Sequence, residues 1–80
     1  MKTEYKHIYF EDESYLFPNR KTAVWCCFNK NGYYSIAAIA WSKQWKQYCF
    51  LPEDDMVFSI SCMGDIIDFI KQLNETKDIE

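Results

Sequence analysis

The chain reads as an α+β domain: an antiparallel β-meander of three to five strands with one C-terminal α-helix packed across one face. Three observations carry that reading. Two runs rich in β-branched and aromatic residues, Thr22–Phe28 and Tyr33–Trp41, flank Asn29-Lys30-Asn31-Gly32, whose Asn-Gly pair supplies the positive φ angles of a tight hairpin. A third such run, Trp45–Leu51, follows after the short turn Ser42-Lys43-Gln44. Finally, Met63, Ile66, Ile67, Ile70 and Leu73 recur at steps of three and four, the period of a helix with one apolar stripe.

Taken in order, Tyr5–Phe10 alternates loosely and suits an edge strand. Glu11-Asp12-Glu13-Ser14 breaks the pattern with charge, and Pro18-Asn19 marks a loop. Thr22–Phe28 and Tyr33–Trp41 form the first clear hairpin. Trp45–Leu51 is the next strand, and Pro52 ends it because proline cannot donate to a ladder. Glu53-Asp54-Asp55 is a solvated loop, after which Met56–Ile60 predicts one more short strand. Ser61 is placed to cap the helix, with Asp65 favouring its dipole in the first turns. Phe69 and Cys62 widen the apolar stripe, while Asp65, Asp68, Lys71 and Gln72 lie off it. The whole chain, residues 1–80, is one domain with a core at about 22–74 and a polar, fraying tail over 75–80.

Six Phe, six Tyr and three Trp in 80 residues point to a dense aromatic core, and two Gly with two Pro argue against disorder. No run approaches the roughly 18 apolar residues of a membrane span, and Met1–His7 lacks the apolar stretch of a signal peptide. The expectation is a cytoplasmic protein that makes no membrane contact and keeps its cysteines reduced. Cys26 and Cys27 are adjacent, Cys49 and Cys62 stand alone, and the single histidine is His7. Without paired ligands the four thiols read as small buried hydrophobes, not as a metal site, and no cofactor is expected.

Catalysis is the least supported class. A Cys-His nucleophile would need His7 to meet a cysteine that nothing in the pattern brings to it. No glycine-rich phosphate loop is present, and Asp54-Asp55 lacks a second carboxylate cluster for magnesium. The expectation is therefore no enzyme, no catalytic residues and no small-molecule substrate.

The net charge of −3 hides a division. Between Ser14 and Pro52 there is no acidic residue, while Arg20, Lys21, Lys30, Lys43 and Lys46 make that segment +5. The residues after Pro52 sum to −6. Basic, aromatic strands thus precede an acidic helical end. Protein–protein contact is the leading reading, because Trp and Tyr dominate interface energetics and the sheet face left by the helix is apolar. The simplest partner is a second copy of the chain, making a homodimer, with a host protein the other choice. The alternative is nucleic-acid binding on the sheet face opposite the helix, with aromatics as stacking platforms and lysines on phosphates. Against it stands the acidic net charge. The candidate partner-binding residues are Trp41, Lys43, Trp45, Lys46, Tyr48 and Tyr34. A weaker reading has Asp65, Asp68 and Glu53-Asp54-Asp55 imitate the charge of DNA.

Trp41, then Trp45-Lys46-Gln47-Tyr48-Cys49-Phe50 and Pro52, followed by Phe58, Cys62, Asp65-Ile66 and Phe69-Ile70, form an ordered pattern. In it the chain resembles small single-domain proteins of bacterial phages and mobile elements that share a tryptophan, a W-(R/K)-Q-Y-C-F-x-P string and an acidic-isoleucine helix. The resemblance covers about Thr22–Asn74. It implies a mobile-element origin and brings no established activity. Where that pattern has glycine and charge before the first tryptophan, this chain has Ala37, Ala38, Ile39 and Ala40.

Overall fold

The computed structural model describes residues 1–77. Among them, β1 (Ile8–Asp12), β2 (Val24–Asn29), β3 (Ser35–Ser42) and β4 (Gln47–Pro52) pair in the order β1-β2-β3-β4, each antiparallel to the last, and α1 (Ile60–Lys77) follows. The α+β meander is therefore the fold. Register places Phe10 opposite Cys27, Cys27 opposite Ala37, Trp25 opposite Ile39, and Ile39 opposite Phe50. Those residues share one face, and α1 covers it.

Phe69 is the centre of that cover. It is fully buried, stacks on Phe10 with ring centroids 3.9 Å apart, and meets Trp25 edge-on at 5.1 Å. Ile66 and Leu73 are buried with it, and Cys62 and Ile70 pack at its margins. The helix runs back along β4, from Phe58 edge-on to Phe50 at 5.2 Å to Asn74, whose side-chain oxygen accepts the Tyr48 backbone N–H at 2.8 Å. The core also reaches well before Thr22. Tyr5, Ile8 and Phe10 belong to it, and the Tyr5 hydroxyl donates to Asp68 at 2.7 Å. Gln72 clasps the N-terminus, accepting the Lys2 N–H and donating to the Lys2 carbonyl. Residues 3–5 fold back along the outer edge of β1, where the Phe10 N–H donates to the Thr3 carbonyl at 2.8 Å and Glu4 bridges Tyr9.

Several boundaries differ from expectation for local reasons. The first strand is Ile8–Asp12, so Glu11 and Asp12 continue it as solvent-side residues of an edge strand. The β2–β3 loop is longer than an Asn-Gly two-residue turn. The Asn29 side chain accepts the Asn31 N–H at 2.7 Å, which opens the loop early, and the positive φ angles fall on Gly32 (99°) and Tyr33 (57°). A register shift between Cys27 and Phe28 absorbs the extra length. Trp45 is not in a strand. Residues 43–46 form the β3–β4 loop, closed by Lys46 N–H to the Ser42 carbonyl at 2.7 Å with Lys46 at φ 55°.

Met56–Ile60 makes no strand. Met56 and Phe58 turn toward the core and Val57 toward solvent, so the alternation is real, but the segment is climbing off the sheet to start α1. Ser59, not Ser61, is the cap: its hydroxyl accepts the Cys62 N–H at 3.1 Å and its carbonyl the Met63 N–H at 2.9 Å. Residues 75–77 of the expected tail are helical, and 78–80 lie outside the described residues.

Candidate functional site

The β1–β2 connection leaves the sheet through a 3₁₀ turn at Ser14–Leu16, then turns again as the Arg20 N–H bonds the Phe17 carbonyl at 3.0 Å. It returns at Val24, whose N–H is held by the Ser14 hydroxyl at 2.9 Å. This path lays Asn19–Thr22 beside the end of β3. Arg20 Nη2 donates to the Trp41 carbonyl at 3.1 Å, tying the loop to the strand. The β3–β4 loop carries Lys43 and Lys46 to the same end of the molecule. Four of the five cations of the acid-free segment therefore gather here. The fifth, Lys30, sits in the β2–β3 loop at the opposite end, donating to the Tyr5 carbonyl at 2.6 Å and pairing with Glu4 at 3.6 Å.

Between the two loops lies a pocket of about 650 Å³ lined by Asn19, Arg20, Lys21, Thr22, Trp41 and Lys43. No carboxylate is among the lining residues. Trp41 is half-buried and edge-on to Tyr48 at 5.5 Å, so its ring is braced. Trp45 stands at the loop tip with 65% of its surface exposed.

Of the residues singled out from sequence, Trp41 and Lys43 line the pocket, Trp45 and Lys46 stand in the β3–β4 loop beside it, and Tyr48 meets Trp41 edge-on. Tyr34 is not part of the group. It lies at the far end, its hydroxyl accepting from the Asn29 side chain at 3.1 Å. The expected surface was the sheet face opposite the helix, yet that face carries none of these cations, because all of them stand in loops. It holds Tyr9 stacked on Phe28 at 5.2 Å and, around Cys26, the carboxylates Glu11, Glu13 and Glu53. Sequence reasoning counted Arg20 and Lys21 as charge without placing them. The Pro18-Asn19 loop just before them was the available signal that they could turn toward Trp41.

A second surface is apolar. Ile60, Met63 and Ile67 lie along the outer side of α1, preceded by Val57, with 90%, 47%, 54% and 96% of their surfaces exposed. Met63 and Ile67 were expected on the buried stripe. The helix turns instead so that Cys62, Ile66, Phe69, Ile70 and Leu73 face the sheet, because Phe69 fills the space between Phe10 and Trp25. The spacing 57, 60, 63, 67 was the readable trace of this second stripe.

The cysteines form no disulfide, and among the described residues no group of three or more His, Cys, Asp or Glu could hold a metal ion. Burial, then Glu13 beside it, push the Cys26 thiol up to about 11, and burial pushes Cys27 up to about 12. Both stay protonated at neutral pH, the opposite of what a thiolate nucleophile needs. No helix among the described residues is long and apolar enough to cross a membrane. The chain matches no family model, no curated protein and no solved structure.

Proposed function

We propose that the protein is a non-catalytic binding module, of the phage or mobile-element type its W-K-Q-Y-C-F-L-P string resembles, that works by protein–protein contact. One observation carries this: the outer stripe of α1 keeps Val57 and Ile60 almost wholly in water although the inner stripe already supplies the core. Contiguous apolar surface of that kind marks an interaction site.

A second copy of the chain fits the stripe. Ile60, Gly64, Ile67 and Lys71 follow one another at steps of four, three and four, the spacing of a two-helix seam. Gly64 has open space where a Cβ would stand, so two helices can approach closely there. In an antiparallel pair centred on Gly64, Lys71 of one copy comes level with Val57 of its partner, next to the acidic loop Glu53-Asp54-Asp55. About three helical turns are a small contact against the roughly 800 Å² per partner of a standard interface, so the dimer is a weak, exchanging one.

Sedimentation velocity from about 10 to 300 µM tests this range. A monomer–dimer equilibrium that Ile60→Lys with Ile67→Lys abolishes, with circular dichroism unchanged, supports it. A wild-type monomer throughout sinks self-pairing. Cross-linking of a lysate to the wild type but not to the double variant then separates that failure from failure of protein contact altogether.

A further inference from the structure

Protein contact through α1 leaves the other end of the molecule without a role. There, Arg20, Lys21 and Lys43 line one pocket, with Lys46 in the adjoining loop, and mutual repulsion makes such a grouping unfavourable unless something anionic meets it. We infer that the pocket between Asn19–Thr22 and Trp41–Lys43 binds single-stranded nucleic acid, with Arg20, Lys21 and Lys43 on phosphate and the tryptophans as base platforms. This inference is independent of the dimer.

The observations choose that ligand class in three steps. Arginine and two lysines without a lining carboxylate select an anion. Arg20 is anchored by its bond to the Trp41 carbonyl, which uses one of the five guanidinium donors and orients the group before any ligand arrives. Phosphate is the anion that the planar fork of arginine and the point charges of lysine serve together.

Trp41 in the pocket wall, braced by Tyr48, and Trp45 at the tip of the adjoining loop then add flat apolar surface. Bases splayed from a single strand stack on such rings, whereas bases in a duplex are already stacked on each other. A pocket of about 650 Å³ has the size of a small-molecule site, so it admits a single nucleotide unit. The one long helix offers no route into a duplex groove, since its side chains include Asp65, Asp68 and Glu75. Lys46, beside Trp45 in the loop, extends the positive track beyond the pocket and so favours a strand over a lone nucleotide.

The affinity should depend on salt in a calculable way. Three to four phosphates neutralised on a single strand give a log–log slope of about −2 to −3, so binding weakens roughly 20- to 50-fold between 50 and 200 mM salt.

The test is fluorescence anisotropy of fluorescein-labelled dT12 titrated with the full chain at both salt concentrations. A blunt duplex of equal length, thymidine monophosphate and polyglutamate serve as competitors. Micromolar binding of dT12 with that salt response is expected. The duplex and the monophosphate should each compete at least about tenfold less well, and polyglutamate should hardly compete, because it has charge without bases.

Lys43→Gln should flatten the salt slope by nearly one phosphate's share, and Trp45→Ala, at an exposed loop tip, should weaken binding about tenfold. Both sites are outside the core, so circular dichroism should not change. Absence of dT12 binding at 50 mM salt overturns the inference. So does polyglutamate competing as well as dT12, which makes the site one for acidic peptides. Equal binding of the duplex overturns the stacking role, and preference for the monophosphate overturns the strand.

Discussion

Replacing Phe69 with alanine tests the frame on which both surfaces are mounted. The ring is fully buried, lies against Phe10 at 3.9 Å, and takes the edge of Trp25 at 5.1 Å. Truncating a buried phenylalanine costs about 3–5 kcal/mol, and losing two aromatic contacts at once places this site toward the upper end. Native domains have about 0.05–0.15 kcal/mol of stability per residue, so a chain of this length has on the order of 4–12 kcal/mol in all. Phe69→Ala should therefore remove a third or more of the total. In urea followed by far-UV circular dichroism, the midpoint should drop steeply with the slope kept, or the chain should be unfolded already. Ile67→Ala, two residues away and half exposed, is the control and should change stability by less than about 1 kcal/mol. Comparable losses at the two positions would refute the orientation assigned to α1, and with it the outer stripe.

Other expectations concern single contacts and one pH range. Ser59→Ala should cost about 1 kcal/mol of stability by urea titration and Ser61→Ala much less, since Ser59 caps the helix; the reverse order would move the cap. Asn74→Ala should cost about 1–3 kcal/mol by the same titration, because it leaves the Tyr48 N–H without its partner and frees the end of α1 from β4. Cys26 and Cys27 hold their protons in the folded chain to about 11 and about 12, above the roughly 8.5 of an unfolded thiol. Native binds more protons than unfolded in that window, so this contribution is complete below about pH 8.5 and drains away as pH rises toward 11. The urea midpoint should fall across that range, and Cys27→Ala should shallow the fall; a midpoint that stays flat would show the two thiols to be ordinary.

The meander was legible because its signals are local. Strand runs, the Asn-Gly pair and a short turn each act within ten residues, and they name sequential antiparallel neighbours. The helix was legible for its existence and not for its facing. Met63, Ile66, Ile67 and Ile70 satisfy two overlapping stripes, and only the fit of Phe69 between Phe10 and Trp25 decides which one is buried. Ser59 and Ser61 are equally good caps by residue type, and the choice depends on where Phe58 and Cys62 must pack. The basic site was half legible. Lys43, Trp45 and Lys46 share one loop with Trp41 at its root, whereas Arg20 and Lys21 arrive across about twenty residues of sequence on a path set by Ser14 holding Val24. Tyr34 lies apart from the other named residues because strand alternation says which face a residue shares and nothing about which end of the sheet it occupies.

The two outer strands have a consequence for how copies of this chain can meet. An unpaired strand edge invites a stranger's strand, and through that route soluble domains grow into fibrils. On β1 residues 3–5 already lie along the rim, taking the Phe10 N–H, and on β4 the Asn74 side chain occupies the Tyr48 N–H. The β1 rim is thereby closed at its middle and the β4 rim near its start, each by another part of the chain. Edge-to-edge stacking of copies is hindered at both of these points. Trimming Met1–Glu4 would reopen one rim, and the shortened chain should then form thioflavin-positive aggregates where the full chain stays clear.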